Sequence, residues 1–205
     1  MILYEDDKLL IIEKEPKLLV HATVDKSRKN LESMLEQDGN FEYFRLLNRI
    51  DFKTSGLVAL SISEKDNKYL DKWLKSSKKT YLALVEGKMK SLKLEDFIKV
   101  GKNEVKIVKC GGKKAISEVS LIWYFKEEDV SLLEVVLVTG RRHQIRLQLA
   151  NINHPIIGDD LYNPKCLNKE DDLFLHSHKL TWKDKTVIAE PPKYFEKYTN
   201  RLNHY

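Results

Sequence analysis

The apolar residues of this 205-residue chain fall into short runs broken at close intervals by turn formers, and that spacing decides what the chain can fold into. Runs such as Leu9 to Ile12 and Val135 to Val138 are far below the roughly 20 residues a membrane-crossing helix needs, so no such span is predicted. In the middle of the chain Val105 to Lys109, a Gly111-Gly112 turn, Ile116 to Phe125, an acidic turn at Glu127 to Asp129 and Leu132 to Val138 read as hairpin-linked strands. A hairpin also opens the chain, Ile2 to Tyr4 and Lys8 to Lys14 around Glu5-Asp6-Asp7, ended by Pro16. Near the end, Phe174 to Trp182 and Thr186 to Ala189 flank Lys183-Asp184-Lys185.

Helices are fewer. Asn30 is placed to cap one through Gln37, with Leu31, Met34 and Leu35 at the i, i+3, i+4 positions of an apolar face. Two extended segments, Phe44 to Ile50 and Leu57 to Ser61, follow, separated by Asp51-Phe52-Lys53-Thr54-Ser55-Gly56. Ser63 then caps a helix to about Lys75 with Leu70, Trp73 and Leu74 facing inward, and Tyr81 to Val85 is a strand closed by Gly87. After Thr139-Gly140, residues 141–151 take a helical period, and a last helix follows Pro191-Pro192. The predicted class is α+β, a mixed, mainly antiparallel sheet with flanking helices. With no repeat or Pro/Gly/Ser-rich linker, a single domain over 1–205 is expected.

Composition narrows the partners. Hydrophobic residues at 42% and charged residues at 33% lie far from the disordered regime. The charge, 36 − 31 = +5, is mildly basic, but its distribution says more. There are 29 Lys and only seven Arg, and Arg141, Arg142 and Arg146 fall within six residues, a concentration of guanidinium groups suited to phosphate or carboxylate. Cys110 and Cys166 lack the spacing of a metal or redox pair, and the His and acidic residues form no ligand pattern, so neither disulfide nor metal is expected. The acidic start, Glu5-Asp6-Asp7, is unlike a targeting segment, and a cytoplasmic location is the expectation.

Two places could carry chemistry. Asp51 stands where a strand gives way to a turn, two residues after Arg49 and just before Thr54-Ser55-Gly56. It reads either as an Asx-turn carboxylate accepting the amides of residues 53 or 54, or as a reactive carboxylate kept ionised by a cation. In the 141–151 helix, Arg142 and Arg146 share a face near the free N-terminal amides, a potential anion site, with His143 and Gln144 as neighbouring donors. Tyr81, at the start of an apolar strand, is by itself an ordinary strand aromatic.

Taken in order, Asn48-Arg49-Ile50-Asp51-Phe52-Lys53-Thr54-Ser55-Gly56-Leu57, Lys79-Thr80-Tyr81-Leu82-Ala83-Leu84-Val85-Glu86-Gly87, Thr139-Gly140-Arg141-Arg142-His143-Gln144-Ile145-Arg146 and Asn153-His154-Pro155-Ile156-Ile157-Gly158-Asp159 resemble the RluA-type pseudouridine synthase family. Leu19-Val20-His21, Leu175-His176 and Glu190-Pro191-Pro192 extend the match over nearly the whole chain, without an N-terminal S4-type module. The resemblance implies a cofactor-free, metal-free RNA uridine isomerase. It makes Asp51 the nucleophile or base that opens the glycosidic bond, Tyr81 the ring against the flipped uracil, and Arg146 the partner of the Asp51 carboxylate. Arg49 would fill the gap the flipped base leaves, Arg141, Arg142 and His143 would meet RNA, and Thr54, Ser55, Gly56 and Gln144 would support the site. The substrate implied is a stem-loop of ribosomal or transfer RNA bound by a monomer. Asn48 and Gln148 stand where the family usually has His, which leaves a rival of another class, a non-catalytic RNA-binding or ribosome-assembly protein. A phosphate-binding hydrolase using the Arg helix lacks a P-loop or metal ligands.

Overall fold

The structure, a computed structural model, describes residues 1–21, 29–102 and 104–200. In chain order its elements are β1 (Ile2–Glu5), β2 (Leu9–Lys14), α1 (Leu31–Asp38), β3 (Arg45–Leu46), β4 (Ser55–Ser61), α2 (Asn67–Ser76), β5 (Lys78–Glu86), β6 (Leu92–Val100), β7 (Val105–Ile107), β8 (Lys113–Phe125), β9 (Val130–Leu137), α3 (Gln144–Asn151), β10 (Leu175–Trp182), β11 (Lys185–Ile188) and α4 (Glu196–Thr199). The class is α+β, with sheets whose hairpins pair antiparallel, as expected. The chain divides into two compact units, Met1–Lys78 with Ser177–Pro192, and Lys79–His176 with Lys193–Tyr205.

In the first unit the strand order is β1-β2-β4-β10, with β3 on β4 and β11 on β10. Leu9 and Ile11 of β2 and Leu57 and Ala59 of β4, alternate residues on one face, pack under Leu70 and Trp73 of α2 and against Leu180 and Val187. Their neighbours Leu10, Ile12, Val58 and Leu60 point the other way and are also buried. A strand covered on both faces loses its polar alternation, and for that reason β2 and β4 read as unbroken apolar runs.

Local chemistry sets three departures from the sequence reading. The extended segment expected over Phe44 to Ile50 pairs only at Arg45 and Leu46. Beyond that point the Leu47 amide donates to the Ala59 carbonyl at 2.9 Å, and the Asn48 side-chain oxygen accepts the Ala59 amide at 2.7 Å, so a side chain takes over from the backbone ladder. Ser63 does not cap an α-helix: its hydroxyl donates to the Asp66 carboxylate at 2.6 Å, a 3-10 turn spans Glu64–Asp66, and α2 starts at Asn67. Asn30 does cap α1, accepting Ser33 N at 2.9 Å, but of the expected apolar face Leu31 is buried while Met34 is 49% exposed.

The second unit orders its strands β5-β9-β8-β6-β7. β6 is an addition to the sequence reading. Lys93, Glu95, Asp96 and Lys99 dilute its pattern, and Leu94 and Ile98 are its buried apolar residues. A bulge between Leu121 and Trp123 shifts the β8–β9 register.

Gly56 lies at the start of β4 with φ +104°, and a Cβ there would stand 2.2 Å from the Ser177 carbonyl oxygen. Gly56→Ala therefore combines backbone strain with a backbone clash and is expected to destabilise the protein by about 2–4 kcal/mol. Urea denaturation checks this; an unchanged midpoint would mean that β4 and β10 do not approach so closely.

Candidate active site

In the first unit the functional segment is the turn from Asp51 to Gly56. It is closed by backbone, Thr54 N donating to the Asp51 carbonyl at 3.1 Å. Asp51 is half-buried, while Lys53, Thr54 and Ser55 are buried. Thr54, Ser55 and Gly56 thus lead into β4 as structural members of the turn. The Thr54 hydroxyl is buried without a hydrogen-bond partner.

The turn rests on a residue that sequence reasoning missed. Lys14, the last residue of β2 and paired in register with Gly56, is only 1% exposed. Its Nζ donates to the carbonyls of Glu15 at 2.8 Å, Leu18 at 2.8 Å and Phe52 at 3.2 Å, and Phe52 is the residue after Asp51. Burial pulls the ammonium down to about 7, with the charge of Asp51 acting in the opposite direction. In the sequence Lys14 looks like one of 29 lysines at the end of an exposed hairpin. Its only signal is its place directly after the apolar run Leu9 to Ile12 and Glu13.

Arg49 is exposed, and one guanidinium nitrogen lies 3.3 Å from His21 Nε2.

In the second unit Tyr81 is 7% exposed in β5, opposite Val135 of β9. The arginine cluster differs from expectation. α3 begins at Gln144, and His143 before it has φ +53°, so Arg141 and Arg142 precede the helix and Arg142 does not share a helical face with Arg146. The cause is Gln144, 2% exposed, whose side-chain oxygen accepts the Arg141 amide at 3.0 Å and the Thr139 hydroxyl at 2.9 Å. Its amide nitrogen donates to the Ile116 carbonyl and Ser117 Oγ. This capping fixes the turn where an open anion site was expected. Arg142 is exposed, and Arg141 Nε donates to the Lys114 carbonyl at 3.0 Å.

Arg146 is buried in α3. Its Nε and one Nη donate to the two carboxylate oxygens of Asp159 at 2.8 and 2.7 Å, a fork geometry that fixes the guanidinium plane. Asp159 is fully buried and also accepts the Leu161 and Tyr162 amides. The Tyr162 ring lies 5.3 Å beneath the guanidinium, and the Tyr162 hydroxyl is 2.8 Å from His143 Nδ1. Asp159 and Tyr162 have no role in the sequence reading; Asp159 ends the fourth segment of the resemblance, and its contact with Arg146 is not legible there. Gln148 is fully buried and joins Ser117 Oγ to the Asp96 carboxylate. Among the described residues no group of three or more His, Cys, Asp or Glu is placed to hold a metal ion, and no helix is long and apolar enough to cross a membrane.

The Arg146–Asp159 pair predicts a contrast. Removing one partner of a buried pair strands a charge, so Arg146→Ala is expected to cost about 3–5 kcal/mol. Exposed Arg142→Ala should stay within about 0.5 kcal/mol. Equal shifts in denaturation midpoint would refute the assignment.

Comparison with known proteins places these features in a family. The sequence model of the RNA pseudouridylate synthase family matches residues 8–151. An uncharacterized RNA pseudouridine synthase of Bacillus subtilis is 31% identical, over 93% of this chain and 68% of its own length. The ribosomal large subunit pseudouridine synthase D of Borreliella burgdorferi is also 31% identical, over 95% of this chain and 66% of its length. The chain thus spans about two-thirds of the length of these relatives. Human RNA pseudouridylate synthase domain containing 4 shares the fold, with a TM-score of 0.78 at 18% identity over 98% of this chain and 92% of that one. With the match running through most of the sequence, the chain belongs to the RNA pseudouridylate synthase family.

Proposed function

We propose that this protein isomerises uridine to pseudouridine in structured RNA, its residues 1–205 acting as one catalytic domain and as a monomer in the cytoplasm. The observation that carries the reading is the Asp51 turn, a carboxylate just ahead of β4 and beside a buried ammonium, in the D-x-x-T-S-G pattern of the family. The name of the Borreliella relative points to large-subunit ribosomal RNA as the substrate class, with transfer RNA the other class to test.

The reaction breaks the N1–C1′ bond of uridine, turns the uracil while it is held, and forms a C5–C1′ bond. N1 gains a proton and C5 loses one, so nothing is added to the nucleotide, and the step is redox-neutral. A base in a stem must first leave the stack. In this proposal Arg49 leaves His21 to fill the gap, Tyr81 packs on the uracil, and Arg141, Arg142 and His143 meet phosphates. Asp51 then acts as nucleophile or base on the glycosidic unit, as a carboxylate does in glycoside hydrolysis, and Arg146 is the cation that serves it. The chemistry calls for neither metal nor cofactor.

The test is Asp51→Asn, which keeps size and removes the charge. Pseudouridine mapping of RNA incubated with the purified variant should show no product, a loss of at least about 10³-fold, while RNA binding and melting temperature stay near wild type. Product above a no-enzyme control would overturn the role of Asp51, and normal RNA binding by a wild-type protein without turnover would favour a binding protein.

A further inference from the structure

Lys14 is the feature that the proposed reaction does not use. An ammonium has three N–H donors and no acceptor, and here three backbone carbonyls receive them: two from the 15–18 turn and one, Phe52, from the segment that carries Asp51. A neutral amine would turn a lone pair toward one of those oxygens, so the tripod is built for the charged form. Carrying a buried charge is costly, and a methionine would span the same apolar distance without it.

The segments around the ammonium limit what its charge can act on. The 15–18 turn carries Glu15 and Lys17, β4 carries no ionisable side chain, and the 51–54 turn carries Asp51 and Lys53. Asp51 is the group whose charge acts on Lys14. Glu15 offers its backbone carbonyl to the tripod.

From this geometry we infer that Lys14 is a positioning residue for Asp51: its three-carbonyl tripod locks the Asp51–Thr54 turn to the end of β2 and sets a positive charge beside the carboxylate. The inference rests on the reading of Asp51 as the reactive group. It assigns Lys14 two effects, fixing the direction of the carboxylate through Phe52 and keeping it ionised when RNA excludes water from it.

A titration and a rate measurement on the whole protein test this. In Asp51→Asn the Lys14 Nζ nitrogen, followed by NMR, should titrate lower than in wild type, because the carboxylate that favours its charged form has gone. This arm keeps Lys14 and all three carbonyls, so it reads the coupling even if Lys14→Met fails to fold. With RNA, Lys14→Met should lower kcat by about 10- to 100-fold, in the range seen when a supporting partner of a site is removed, with KM within about 3-fold. A purely structural Lys14 would lower the melting temperature and leave both kcat and the Lys14 titration of Asp51→Asn in place. Absence of movement in that titration overturns the inference. Failure of the catalytic reading appears separately, as no turnover by wild type while the Lys14 titration still moves.

Discussion

A charge taken out of water must be met by opposite charge or by a full set of hydrogen bonds, and Lys14 and Arg146 are both buried under that constraint. Lys14 meets it with three carbonyls beside Asp51, and Arg146 meets it with the fork to Asp159. Each cation fixes a segment that contains no regular structure of its own: the Asp51–Thr54 turn in one unit, the Gly158–Tyr162 turn in the other. Apolar packing alone would leave those turns free to wander, because their backbone groups are not held by a strand ladder. The cost of stranding either charge is what makes the turns specific in shape.

Much of this was legible in the chain. Turn formers at close intervals gave the hairpins, and Asn30 gave the start of α1, because these are local rules in which a side chain answers to its own backbone. The residues of the Asp51 turn and the Tyr81 strand could be named from their pattern. What the chain hid depends on contacts distant in sequence. Lys14 meets Phe52 from 38 residues away, and its place after the Leu9 to Ile12 run says nothing of that contact. Arg142 and Arg146 were read as one face because their spacing allows it, whereas the Gln144 side chain caps the Arg141 amide and starts the helix later. β6 escaped because a strand with few buried residues carries little apolar alternation to read.

The two positions where the family usually carries histidine show how a hydrogen-bonding role survives a change of side chain. Asn48 accepts the Ala59 amide and ties the segment before Asp51 to β4. Gln148, fully buried, bridges Ser117 and Asp96 and holds α3 to β8 and β6. Both are amides with a donor and an acceptor, both are engaged in the structure, and neither needs to titrate for the work it does. Their departure from histidine therefore leaves the supports of Asp51 and Arg146 in place.

The central claim is that Asp51 opens a glycosidic bond whose base is kept and rejoined through carbon. It is tested most directly with RNA carrying tritium at C5 of its uridines. Purified protein should release tritium to water as the C5–C1′ bond forms, in amounts matching the pseudouridine produced, while every uracil stays attached to the polymer. Release of free uracil, or label that remains on RNA the protein demonstrably binds, would contradict the account.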